Sequence, residues 1–198
     1  MNVAAADASF DAKVEVVSCQ APEQAERKLE ITRAVIQADY AVTAPYGCVY
    51  TLPDRSGAAN AYLRSELGDA TWPELEEKSG MLLAEALTAE EAAALEPRAE
   101  KMESLSDTSW PLERAGAEED FIYFVSIGVD PEKRGSGAFR RLITPFLAHA
   151  DERGLDCYLD CYTDRLEQLY GHFGFQTVER RNSDTFPIEE RLMIRRPR

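Results

Sequence analysis

Between Val129 and Arg140 the chain reads Val-Asp-Pro-Glu-Lys-Arg-Gly-Ser-Gly-Ala-Phe-Arg. An apolar run ends there, Pro131 breaks it, and Gly135 and Gly137 let the backbone turn with its amides exposed. A helical pattern begins at once. The first N–H groups of a helix have no partner inside it, and the helix dipole places roughly half a positive charge at that end. Pyrophosphate and other anions bind such ends. Lys133, Arg134, Arg140 and Arg141 add positive charge in a chain whose formal net charge is −14. That local reversal of sign marks the turn as an anion site. A glycine pair alone also serves close packing of a helix on a strand. No Gly-Lys-Ser/Thr follows, and the three-glycine dinucleotide pattern is absent.

Downstream, Tyr170 stands just before Gly171 and a Gly174-Phe175 pair. A tyrosine hydroxyl of pKa ~10 can donate a hydrogen bond or proton to a leaving group. Leu166, Leu169, Tyr170 and Phe173 also follow helical spacing, which would make Tyr170 a core aromatic instead. Asp160 alternates with Tyr158 and Tyr162 on one strand face and could line a cleft. Glu118, Glu119 and Asp120 are further carboxylates, in a pattern typical of a solvated turn. His149 and His172 fall on helices, where surface and packing roles dominate.

These residues need a frame. Phe121 to Val129 is an apolar, aromatic and β-branched run that predicts a buried strand. The helix after Gly137 is expected to reach about Arg153, with Leu142, Ile143, Phe146 and Leu147 inward and Gly154 as its stop. Asp156 to Thr163 predicts a strand, and Asp164 an N-cap for a short helix through His172. Phe175 to Glu179 and Arg191 to Ile194 complete the pattern as closing strands. Strand, glycine turn, helix, parallel strand is a βαβ unit of an α/β or α+β domain. Upstream, Lys13 to Val17 predicts a strand and Glu23 to Tyr40 a helix. Tyr46 to Leu52 and Ala58 to Leu63 read as two strands joined by the turn residues 53–57. Leu82 to Leu105 reads as helix interrupted near Pro97, and Ser106 to Asp120 as a loop.

At 198 residues the chain is sized for one domain. Its longest strongly apolar run, Phe121 to Val129, is far short of the ~20 residues of a membrane helix. The N-terminus lacks a secretory pattern, so a cytoplasmic location is expected. Acidic residues outnumber basic ones 36 to 22, a field that repels nucleic acid and anionic membrane. That surface fits either a solvated, high-salt-type exterior or a cleft that draws a cationic acceptor. Cys157 and Cys161 share one predicted strand, about 13 Å apart, too far for a disulfide. Cys19 and Cys48 are isolated, so reduced thiols and no metal site are expected.

Taken together, Ile127-Gly-Val-Asp-Pro-Glu-Lys-Arg-Gly-Ser-Gly-Ala resembles the acetyl-CoA motif of the GCN5-related N-acetyltransferases. Leu169-Tyr-Gly-His-Phe-Gly-Phe resembles that family's next motif, and the intervening stretch looks like the helix end and strand between them. The likeness covers about Phe121 to Val178 and is most similar to the puromycin acetyltransferase-like branch.

The resemblance implies a single domain with a mixed central sheet flanked by helices. Residues 1–120 would form the acceptor side and 121–198 the acetyl-CoA side. It implies main-chain pairing of Ile127 and Val129 with the pantetheine arm. It also implies pyrophosphate held by the amides of Arg134, Gly135, Ser136, Gly137, Ala138 and Phe139, and Tyr170 as proton donor to the thiolate. Phe139 stands where a small residue is usual, and Leu166 where many relatives carry asparagine. The expected activity is acetyl transfer from acetyl-CoA to a small cationic amine, with no metal, and a homodimer stays open. A catalytically silent CoA-binding regulatory module is the alternative.

Overall fold

A computed structural model of the chain describes residues 25–93, 97, 108–116, 119–182 and 188–198. The expected first strand at Lys13 to Val17, Cys19 and Glu118 lie outside the described residues. In chain order the elements are α1 (Ala25–Thr43), β1 (Val49–Thr51), β2 (Gly57–Leu63), α2 (Trp72–Glu85), α3 (Trp110–Ala115) and β3 (Phe121–Val129). After these come α4 (Ala138–Arg153), β4 (Asp156–Cys161), α5 (Asp164–Gly171), β5 (Gln176–Asn182) and β6 (Glu189–Arg195). The six strands form one mixed sheet in the order β1-β2-β3-β4-β6-β5. Every neighbouring pair is antiparallel except β3 and β4, which α4 joins as a parallel pair. The expected mixed sheet flanked by helices is the architecture observed.

The strand pattern sorts side chains to two faces, because successive residues point to opposite sides. On one face Ile122, Phe124 and Ile127 of β3 and Cys157, Leu159 and Cys161 of β4 meet Leu142, Ile143 and Leu147 of α4. Tyr170 and Phe175 join the same cluster. On the other face Tyr62, Phe121, Tyr123 and Tyr158 pack with Trp72 and Leu75 of α2 and Trp110 of α3. Tyr62 stacks on Trp72 with centroids 5.0 Å apart, and Trp110 meets Tyr158 edge-on at 5.3 Å.

Several boundaries differ from the expectation. The strand expected from Tyr46 is only Val49–Thr51, because Ala44–Tyr46 forms a 3₁₀ turn around Pro45 that Gly47 closes at φ 73°. The helix expected from Leu82 instead starts at Trp72 and stops at Glu85, and residues 89–93 are helical again. Its start is written in Thr71-Trp-Pro-Glu, where the Glu74 carboxylate accepts the Thr71 N–H at 2.9 Å. The expected loop at 106–120 contains α3, held by burial of Trp110. At α5 the N-cap is Thr163, whose hydroxyl accepts the Leu166 N–H at 3.3 Å. Asp164 lies one residue inside, where its carboxylate pairs with Arg191 at 2.5 Å.

Candidate acetyl-CoA site

The geometry that matters most is a fork. β3 and β4 pair from Phe121↔Asp156 through Phe124↔Leu159 and no further. Beyond that point β3 continues to Val129 along β2, while Asp160 and Cys161 of β4 continue along β6. On its β4 side, the stretch from Val125 to Val129 therefore has no strand partner among the described residues. A β-bulge sits at the root of the fork, where Asn60 faces Ser126 but Ala61 faces Phe124. Bulges bend a strand and increase its twist, which turns β3 away from β4. Ile127 and Val129 both lie in this open stretch.

At the end of the open stretch the backbone makes the expected turn. Residues 131–133 form a 3₁₀ turn capped by the Asp130 carboxylate, which accepts the Glu132 N–H at 2.9 Å. Gly135 and Gly137 take φ 80° and 82°, values that L side chains rarely adopt. A Cβ built on either would meet nothing within 4 Å, so the space before the helix is open. Gly137 caps α4, and its carbonyl accepts the Arg141 N–H at 3.0 Å. The amides of Ala138, Phe139 and Arg140 then belong to the first turn, which has no acceptor within the helix. Ala138 is buried and faces the core. Arg134, Gly135 and Ser136 are exposed, and the Ser136 hydroxyl donates to the Lys133 carbonyl at 2.6 Å.

The basic residues around this turn divide in a way the sequence did not show. Arg141 is engaged by the β1–β2 turn, donating to the Asp54 carboxylate at 2.8 Å and the Ser56 hydroxyl at 3.0 Å. The Asp54 carboxyl is held well below its ordinary range by the Ser56 hydroxyl and Arg141. Arg140 lies over the Phe173 ring, 5.2 Å from its centroid. Lys133 and Arg134 remain at the exposed side of the turn.

Phe139 is the departure that bears on this site. Its ring turns away from the glycines and packs against Tyr170 of α5 at 5.8 Å and Phe173, just beyond that helix, at 5.2 Å. Tyr170 is buried, with Phe175 on another side at 6.0 Å. Leu166 packs at the edge of the same core. The structure thus brings Tyr170 to the first turn of α4, and it also places Tyr170 in the apolar cluster.

On the opposite face of the fork, the buried Tyr123 hydroxyl donates to the Asp160 carboxylate at 2.6 Å. Burial, with the neighbouring Asp160 charge, pushes the Tyr123 phenol well above its usual value. Just beyond β4, the Tyr162 hydroxyl donates to buried Glu190 at 2.8 Å. From α1, Tyr40 hydrogen-bonds Ser126 in the bulge. His149 and His172 stand apart from this face, His172 bonding the carbonyl of Gln168 within its own helix end. Asp120 instead anchors Ser65, accepting its N–H at 3.0 Å and its hydroxyl at 2.8 Å. Cys48, Cys157 and Cys161 are buried and in no disulfide among the described residues, and burial pushes the Cys157 thiol up to about 12. Among the described residues no helix is long and apolar enough to cross a membrane.

No protein-family profile matches this chain, and no curated protein does. Solved structures do. Arylalkylamine N-acetyltransferase 2 from Aedes aegypti aligns with 96% of this chain and 95% of its own at 15% identity, with a TM-score of 0.50. A Corynebacterium glutamicum protein described as histone acetyltransferase HPA2 and related acetyltransferase aligns over 98% and 94% at 18% identity and 0.49. Against the ribosomal-protein-S18-alanine N-acetyltransferase of Escherichia coli, 38% of this chain spans about half of that one, 53%, at 20% identity and a TM-score of 0.34. The mixed sheet with its flanking helices is a fold that this chain shares with the Aedes aegypti structure.

Proposed function

We propose that this chain is an acetyl-CoA-dependent N-acetyltransferase for a small, cationic amine. One observation carries the reading: the unpaired edge of β3, Val125 to Val129, leads directly into the glycine turn at the N-terminus of α4. Such an edge can add an extended amide-bearing arm as a further strand, and such a turn holds pyrophosphate. A molecule with both parts in sequence matches CoA. The residues fit it, since Gly135 and Gly137 leave the approach open and Phe139 is folded away. Bound acetyl-CoA would supply an activated thioester.

In this reading Ile127 and Val129 pair with the pantetheine arm through their main chain. Within the turn from Arg134 to Phe139, the amides of Gly135, Gly137, Ala138 and Phe139 hold the pyrophosphate. The Arg134 and Ser136 N–H groups shape the turn by donating to the Pro131 and Lys133 carbonyls at 3.3 and 3.2 Å. The acceptor must attack as a neutral amine, and for pKa ~10.4 deprotonation at neutral pH costs ~4.6 kcal/mol. Tyr170 donates its hydroxyl hydrogen to the departing sulfur, whose pKa is close to the ~8.5 of a thiol. The acidic field of the chain favours a cationic acceptor. The puromycin acetyltransferase-like motifs at 127–138 and 169–175 support a small molecule as that acceptor.

The test has two arms. Calorimetry should show acetyl-CoA binding, and a thiol-trapping assay should show CoA release with members of a primary-amine panel. Binding without release from any amine favours the silent module, for which the burial of Tyr170 speaks. Absence of binding retires both readings.

A further inference from the structure

We propose that Asp160, oriented by Tyr123, is the group that binds the acceptor in the ammonium form in which it arrives, before its proton passes to water and frees the neutral amine that attacks. The proposal rests on the acetyltransferase reading for the acceptor's being an amine, and names the residue that recognises it. Asp160 is the first residue of β4 beyond its last pair with β3, so it stands where the fork opens. The Tyr123 bond puts it on the face opposite α4, across the sheet from Tyr170. It is half-buried.

Its company narrows the choice. Asp120 and Asp130, which like Asp160 are in no ion pair among the described residues, accept backbone N–H groups in surface turns. Asp160 accepts from a phenol at the fork. Asp54, Asp151, Asp156, Asp164 and Glu167 each hold an arginine in an ion pair. Asp160 has no cation within ion-pair distance among the described residues, and its hydrogen bond there comes from a neutral phenol. A half-buried carboxylate with no cation beside it is open to an ammonium ligand, which adds charge-assisted hydrogen bonds. Tyr123 occupies one carboxylate oxygen and fixes its direction, leaving the other lone pairs for a ligand. Glu190, the next acid on this face, is buried, bonded to Tyr162 and 3.9 Å from Arg181, so it is already engaged. The site therefore selects a single primary ammonium group.

Ligand-observed NMR titrations of pentylamine, a cation at pH 7, and pentan-1-ol, its neutral counterpart, test this on the full chain with CoA present. Pentylamine should bind at least about tenfold more tightly, the scale of one charge-assisted contact. Asp160→Asn keeps the shape and removes the charge, and should bring the two probes within about twofold. Tyr123→Phe keeps the carboxylate but frees it, and should narrow the ratio without abolishing it, a change in selectivity that a general loss of packing would not produce. Equal binding of the two probes by the wild-type chain, no binding of pentylamine, or a ratio that survives Asp160→Asn overturns the assignment. The wild-type ratio decides the matter even where Asp160→Asn fails to fold. CoA affinity measured alongside separates the two layers: intact CoA binding with no amine preference retires the Asp160 site alone, and no CoA binding retires the reading beneath it.

Discussion

The Phe139 ring lies 5.8 Å from the ring of Tyr170, joining the first turn of α4 to α5. Phe173 and Phe175 complete the cluster at 5.2 Å from Phe139 and 6.0 Å from Tyr170. Aromatic pairs at such spacings contribute about 0.5–1.5 kcal/mol beyond area burial. The residue that departs from the usual small side chain thus fixes the tyrosine rather than obstructing the turn.

Tyr170→Phe keeps all these ring contacts and deletes one hydroxyl. A general acid contributes ~10²–10⁴-fold, although water can partly replace it before a thiolate leaving group. We expect kcat to fall at least about tenfold, with CoA affinity and Tm little changed. Wild-type turnover by the variant would leave Tyr170 as a core aromatic, and gross instability would make its hydroxyl a structural hydrogen bond.

Gly137→Val places a β-branched side chain at φ 82°. No atom lies within 4 Å of the added Cβ, so a steric clash inside the protein is not the issue. Left-handed backbone costs roughly 1–2 kcal/mol for an L residue, a Tm loss of a few degrees in a chain this long. CoA affinity should fall much further, because the amides can no longer approach phosphate. Calorimetry with unchanged affinity at a lowered Tm would remove the pyrophosphate assignment.

Asn60 is 1% exposed, and neither its side-chain oxygen nor its nitrogen has a hydrogen-bond partner among the described residues. Unpartnered buried polar groups cost about 1–3 kcal/mol each. Asn60→Leu keeps the number and branching of the side-chain atoms and removes both polar groups, so it is expected to raise Tm in thermal melts. The gain is less than the full polar cost, because its methyl groups are larger than the amide atoms they replace. A lowered Tm would mean that the amide is satisfied in solution, by ordered water in the bulge.

Arg195 is nearly buried and its guanidinium donates to Asp151 at 2.7 Å, which holds the Asp151 carboxyl below its ordinary value. The folded state therefore binds that proton less tightly than the unfolded chain does. The resulting stability is complete above about pH 4 and is lost as pH falls through the folded-state value. Asp151→Asn should cost about 1–3 kcal/mol at pH 7, less than a fully buried pair because Asp151 is 30% exposed. The deficit in Tm should shrink between pH 4 and pH 2.5. A deficit that stays constant with pH would show that ionisation of Asp151 contributes nothing.

Residues 121–175 were legible in the sequence because their signals are local. The apolar run of β3, the break at Pro131, the two glycines and the stops at Gly154 and Gly174 each constrain backbone within a few residues of themselves. Their order alone implies a parallel βαβ unit, and the structure has it. The start of α2 is equally local, in Thr71 and Glu74, but the Ala- and Glu-rich stretch after it has the stronger helical composition and masks that start. Only the tertiary structure decided the rest. The fork depends on where β2, sixty residues earlier in the chain, places its bulge against Ser126. Whether Arg141 faces a ligand or Asp54, whether Phe139 blocks the turn or braces Tyr170, and whether Asp160 meets an arginine or a phenol all depend on partners remote in sequence. Backbone turns are governed by neighbours along the chain; charge pairing and packing are governed by neighbours in space, and a sequence does not display those.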